Sequence, residues 1–139
     1  MRYNTIAVLV TALLAVGALT ASAPQARAEV PLPCVVSAHD PTSPPGPLIH
    51  FGFDAHCTSI PNTLDVTTKL FRAGQVKGDP QYEHYLLQAD ATGNYGYVCT
   101  ADAAVAEWHT EVTFTAKKGN AQDTNTVYTV PEARPQLAC

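Results

Sequence analysis

Beyond Met1 the chain has no methionine, and from residue 29 onward its only serines are Ser37, Ser43 and Ser59. The missing methionine removes the weak axial ligand that blue-copper electron-transfer sites usually take, and His109 lies ten positions after Cys99, whereas such sites keep cysteine and second histidine close in sequence. None of the serines stands in a G-x-S-x-G turn and no H-E-x-x-H pair occurs, so the common serine-hydrolase and zinc-protease arrangements have no residues to fill them. No helical stripe persists and no internal repeat is visible, which leaves no basis for a helical bundle or a solenoid. Basic residues are also few. Without Arg2 and Arg27 there are six against twelve acidic ones, a formal charge of −6. A surface of that sign repels phosphate backbones and anionic lipid, so nucleic acid and membranes are not expected partners.

One long apolar run is present. "IAVLVTALLAVGAL", Ile6 to Leu19, follows the positive Arg2 and precedes the small-residue stretch "TASAPQARA". The run is short for a membrane span. Ala26 and Ala28 supply the small residues of a cleavage site, which predicts a secretory signal peptide over 1–28 and a single secreted domain over 29–139. All four cysteines, Cys34, Cys57, Cys99 and Cys139, fall in that domain. Delivered to an oxidising space outside the cell, they are expected as two disulfides, with no thiol left over as a nucleophile.

What fills the domain is alternation of period two, bounded by turn residues, the mark of half-buried strands. Strands are predicted in "CVVSAHD" from Cys34, "LIHFGFDAHC" from Leu48, "TLDVTTKLFR" from Thr63, "YEHYLLQA" from Tyr82, "YGYVCT" from Tyr95, "EWHTEVTFTA" from Glu107 and "TNTVYTV" from Thr124. The sixth is the cleanest, with Trp108, Val112 and Phe114 on one face and Glu107, His109 and Glu111 on the other. The segments between, among them "DPTSPPGP", "AGQVKGDP" and "DATGN", are rich in turn formers. "ADAAVA" is not, and is a candidate for one helical turn. Seven short strands, two disulfides and a tryptophan on a core face predict an all-β fold, an immunoglobulin-like antiparallel β-sandwich, with a small β-barrel as the alternative.

If "DPTSPPGP" closes a hairpin centred between Pro45 and Gly46, paired residue numbers sum to 91, which sets Cys34 opposite Cys57. Cys99 then bonds Cys139. This pattern is the favoured one; the competing pattern joins Cys57 to Cys99 across two sheets and Cys34 to Cys139.

The stretch "CTSIPNTLDVTTKLFRAGQ", residues 57–75, has a cysteine, a Ser/Pro turn and a Thr/Val-alternating strand closing on a charged residue and glycine. In this it resembles small secreted actinobacterial disulfide-bonded β proteins of unassigned activity. The resemblance spans about a third of the domain. It implies a secreted β protein and carries no functional residues with it.

The residues with chemistry to offer are sparse. "HFGFDAHC", residues 50–57, read as a strand, sets Phe51, Phe53, Ala55 and Cys57 inward and His50, Asp54 and His56 outward. His50 and His56 are about 20 Å apart along such a strand and cannot share an ion. Asp54 and His56 can, if a neighbouring strand brings His109, so these three are the candidate metal ligands. The carboxylates flanking His109 are expected to raise its pKa. The proline-rich loop 40–47, with Pro41, Thr42, Ser43, Pro44, Pro45, Gly46 and Pro47, is the candidate binding segment, since fixed φ angles reduce the entropy lost on docking. Tyr82, Tyr85, Tyr95 and Tyr97 are candidates for a second surface or for the core. Together these point to a secreted, non-catalytic binding protein without a cofactor, engaging an extracellular protein or surface. A protease inhibitor presenting loop 40–47 to a secreted protease, and a metal-binding protein, are the alternatives.

Overall fold

The computed structural model describes residues 32–99 and 104–138. The predicted signal peptide and Cys139 lie outside the described residues. The strands are β1 (Cys34–Ala38), β2 (Leu48–Cys57), β3 (Thr63–Arg72), β4 (Gln75–Leu86), β5 (Asp90–Val98), β6 (Ala106–Lys118) and β7 (Ala121–Tyr128). A single 3-10 turn (Pro131–Ala133) and the two-residue β8 (Gln136–Leu137) follow, and there is no α-helix among the described residues. All pairings are antiparallel. One sheet has the order β1-β2-β5. The other has β4-β3-β6-β7, with β8 paired to the start of β6.

Alternation along β2, β3 and β6 produces the core. Ile49, Phe51, Phe53 and Ala55 face Leu64, Val66 and Leu70 together with Trp108, Val112, Phe114 and Ala116, all buried. Removing one large apolar side chain of this kind from water stabilises by about 1.5–3 kcal/mol. The core has two lobes. Phe53, Leu64, Val66, Val112 and Phe114 lie in one, and Ile49, Phe51, Leu70 and Trp108 in the other. Where an edge of one sheet meets an edge of the other, the Cys34 backbone N–H donates to Asp123 Oδ2 at 2.9 Å, tying β1 to β7.

Two expected turns are strand. β4 begins at Gln75 and not Tyr82, because the reversal is already complete at Ala73 and Gly74, whose φ of 48° and 77° make a two-residue hairpin loop. "GDP" is then a bulge. Lys77 pairs with Leu70 and Gln81 with Thr68, so Gly78, Asp79 and Pro80 stand against the single Lys69, two residues in excess, with Gly78 at φ 69° and Pro80 where no ladder N–H is required. β5 begins at Asp90 and not Tyr95. A Cβ on Gly93 would stand 2.4 Å from both Phe53 and the Tyr95 hydroxyl, so this glycine answers to close packing and not to a turn. Of "ADAAVA", residues 101–103 lie outside the described residues and Ala106 opens β6.

The β1–β2 register pairs Cys34 with Cys57, and these two form a disulfide. It joins neighbouring strands of one sheet, so the competing pairing of Cys57 with Cys99 across the sheets does not occur.

Candidate functional site

On β2 the inward and outward sets separate as the alternation requires: Phe51, Phe53, Ala55 and Cys57 are buried, while His50, Asp54 and His56 are exposed. Gly52 belongs to the outward set yet is buried. The His39 ring lies over it, and a Cβ there would stand 2.0 Å from the Gly93 carbonyl oxygen. Across the sheet, register aligns two outward rows, Val35–His56–Asp90 and Ser37–Asp54–Thr92. These six residues, with Tyr85 and Gln88 at the β4–β5 side and the Ala55 and Ala91 positions between the rows, line a pocket of about 590 Å³.

Histidine–carboxylate pairs organise this face. His56 Nδ1 lies 2.6 Å from Asp90 Oδ1, and His39 Nε2 lies 2.8 Å from Asp54 Oδ2. An ionised carboxylate only accepts, so each named ring nitrogen carries the proton it shares. The hydrogen bond from His39, followed by that from Thr92, holds the Asp54 carboxyl below its ordinary pKa against a small opposing effect of burial. His39 is itself fixed from both sheets. Its N–H donates to Gly52 O on β2, while its carbonyl accepts from Thr110 Oγ1 on β6 at 2.8 Å and from Thr129 Oγ1 at 3.3 Å, both threonines being buried.

The expected metal ligands do not meet. Asp54 and His56 face outward from the three-stranded sheet, whereas His109 lies on β6, on the outward side of the other sheet. Its ring stacks on Phe71 with centroids 4.7 Å apart. Among the described residues no three His, Cys, Asp or Glu side chains are grouped to hold a metal ion. The expected rise in the His109 pKa is also reversed. Burial, then the Arg134 charge, push it down, and outweigh Glu107 and Glu111. Those two carboxylates are engaged elsewhere, Glu107 with Arg134 and Glu111 with Lys69, each at 3.0 Å.

In loop 40–47, Pro41 is buried and Thr42 exchanges both backbone hydrogen bonds with His50. Ser43, Pro45, Gly46 and Pro47 form an exposed tip, with Pro44 half-buried. A smaller pocket of about 220 Å³ sits beside its base, between His39, Asp40, Thr42, His50, Phe51 and Asn94. The tyrosines divide. Tyr82 is 75% exposed on β4, Tyr85 reaches the large pocket, and Tyr95 and Tyr97 pack against the Trp108 lobe.

Comparison with protein-family models, with curated proteins and with solved structures returns no match. His39, Asp90 and Thr92 were not singled out by the sequence. The hairpin sum of 91 does set Val35 opposite His56 and Ser37 opposite Asp54, so part of the face was within reach. Asp90 and Thr92 depend on the β2–β5 pairing, which no local signal announces.

Proposed function

We propose that the protein is a secreted, non-catalytic binding domain of immunoglobulin-like topology that engages its ligand on the outward face of β1-β2-β5. The observation that carries this is the pocket of about 590 Å³ on that face, a volume within the usual range of small-ligand sites. The topology is supported by strand order. The first, second and fifth strands share one sheet and the third, sixth and seventh the other, as in immunoglobulin domains, with the fourth strand moved to pair with the third. Export is supported by the leader-like N-terminus and the Cys34–Cys57 bond, and a second bond from Cys99 to Cys139 belongs to the same proposal.

The non-catalytic part draws on the sequence, in which none of Ser37, Ser43 and Ser59 stands in a G-x-S-x-G turn and no H-E-x-x-H pair occurs.

The test is retention of extracellular material on immobilised protein, from culture fluid and from neighbouring cells. Wild type and a variant with loop residues 43–47 changed to alanine are expected to retain the same material, and V35R/T92R to lose it. Retention unaffected by V35R/T92R would overturn the assignment of this face. A second use of the fold, protease inhibition, is favoured by the loop's geometry: an exposed tip held at its base by buried Pro41 and the Thr42–His50 bonds. Secreted proteases that keep full activity at equimolar dose would remove it.

A further inference from the structure

Resting on the reading of this face as the binding surface, we infer that its pocket takes a small organic cation, an ammonium or guanidinium group carried on an apolar body. The lining contains two carboxylates, Asp54 and Asp90, and neither lysine nor arginine. Asp54 stands opposite Thr92, two residues from Asp90, so the carboxylates are diagonal neighbours on one face, with their α-carbons about 7–8 Å apart. Asp54 accepts from His39 at Oδ2 and also from Thr92, Asp90 accepts from His56 at Oδ1, and each carboxylate has further acceptor sites. One cationic head can therefore be held between them without displacing either histidine.

The rest of the pocket suits a body that avoids water. Val35 is 70% exposed at the β1 side, an apolar side chain of β-sheet type with solvent as its main neighbour. Tyr85 lines the β4 side, its hydroxyl donating to Thr92 O at 3.4 Å, and brings an aromatic side chain to the pocket. The volume admits a ligand the size of an aromatic amine. The wall beside Gln88 is held in a costly conformation: Leu87 has φ 53°, left-handed for a residue that disfavours it, and its N–H donates to Asn62 O at 3.2 Å. The charge of the whole domain favours the approach of cations and opposes anions.

The experiment titrates the oxidised full-length domain with tryptamine, indole-3-acetamide and indole-3-acetate, which share a ring system and differ in charge, and with phenethylamine as a second amine. Binding is followed by calorimetry and by amide NMR shifts. The amines are expected to bind saturably, shifting the amides of Asp54, His56, Asp90 and Thr92, with tryptamine about tenfold tighter than the amide and the acetate without effect. D90N and D54N are expected to weaken tryptamine several-fold, and H109A and E111Q, on the opposite sheet, to leave it unchanged. Equal binding of amide and amine, shifts confined to other residues, or no saturable binding of either amine would overturn the inference. If the amines fail while V35R/T92R still abolishes retention, the ligand class is wrong and the face stands. Retention that survives V35R/T92R removes the face itself.

Discussion

On the outward face of the larger sheet threonine stands beside threonine. Thr67, Thr113 and Thr126 are aligned across β3, β6 and β7, and Thr115 is opposite Thr124. Four of these hydroxyls bond in pairs, Thr113 with Thr126 at 2.9 Å and Thr124 with Thr115 at 3.2 Å, and the charged Lys69 and Glu111 pair directly across the strands. The outward face of the three-stranded sheet carries two histidine–aspartate pairs, His39–Asp54 and His56–Asp90, around a pocket, where the larger sheet carries one, His84–Asp65. Carboxylates that accept one N–H and can accept more stand on both faces. What sets the faces apart is the hollow: on the smaller sheet two such carboxylates share a pocket that a ligand can enter.

Mutations sharpen this contrast, the largest effect first. Replacing Cys34 and Cys57 together by alanine opens a link spanning 23 residues and is expected to lower stability by about 3 kcal/mol in urea unfolding. Gly52→Ala, whose Cβ would stand 2.0 Å from Gly93 O, is expected to cost about 1–3 kcal/mol, while Thr113→Val on the other face stays within about 0.5 kcal/mol. Equal losses from these two would break the contrast. Double-mutant cycles at pH 7 come next. The part-buried Lys69–Glu111 pair is expected to couple by about 0.5–1 kcal/mol and the exposed His56–Asp90 pair by less than half of that.

The smallest effect is a pH dependence. Because the folded-state pKa of Asp54 is lowered, its contribution is present above the unfolded value of 3.8 and is lost as pH falls through the folded one. Being exposed, it is worth well under about 1 kcal/mol. The stability difference between wild type and D54N is expected at neutral pH and to vanish in acid, and a difference that grows on acidification would contradict the sign.

Much of the fold was legible because the alternation in β2, β3 and β6 is strict and the prolines of loop 40–47 mark a hairpin whose register follows by counting. The Cys34–Cys57 bond came from the same count. Glycine misled in two places. Gly78 marks a bulge and Gly93 a close approach, and in sequence both look like turn residues, so β4 and β5 seemed to start late. The candidate site was half legible. Asp54 and His56 were placed on the right face, but their partners Asp90 and His39 arrive through long-range pairing, and His109 shares their chemistry without sharing their sheet. What decides which titratable groups meet is the order of strands in space, and periodicity carries no information on that order.

Trp108 is fully buried, with its indole Nε1–H donating to Leu137 O at 3.1 Å and its backbone N–H to Pro135 O at 3.0 Å. It is also the chain's single tryptophan. Its fluorescence therefore reports one address in the molecule, the seam where residues 135–137 lie along β6. If that seam frays before the ladders melt, the emission shifts to the red ahead of the loss of far-ultraviolet dichroism, and the protein carries its own optical gauge for a local opening distinct from global unfolding.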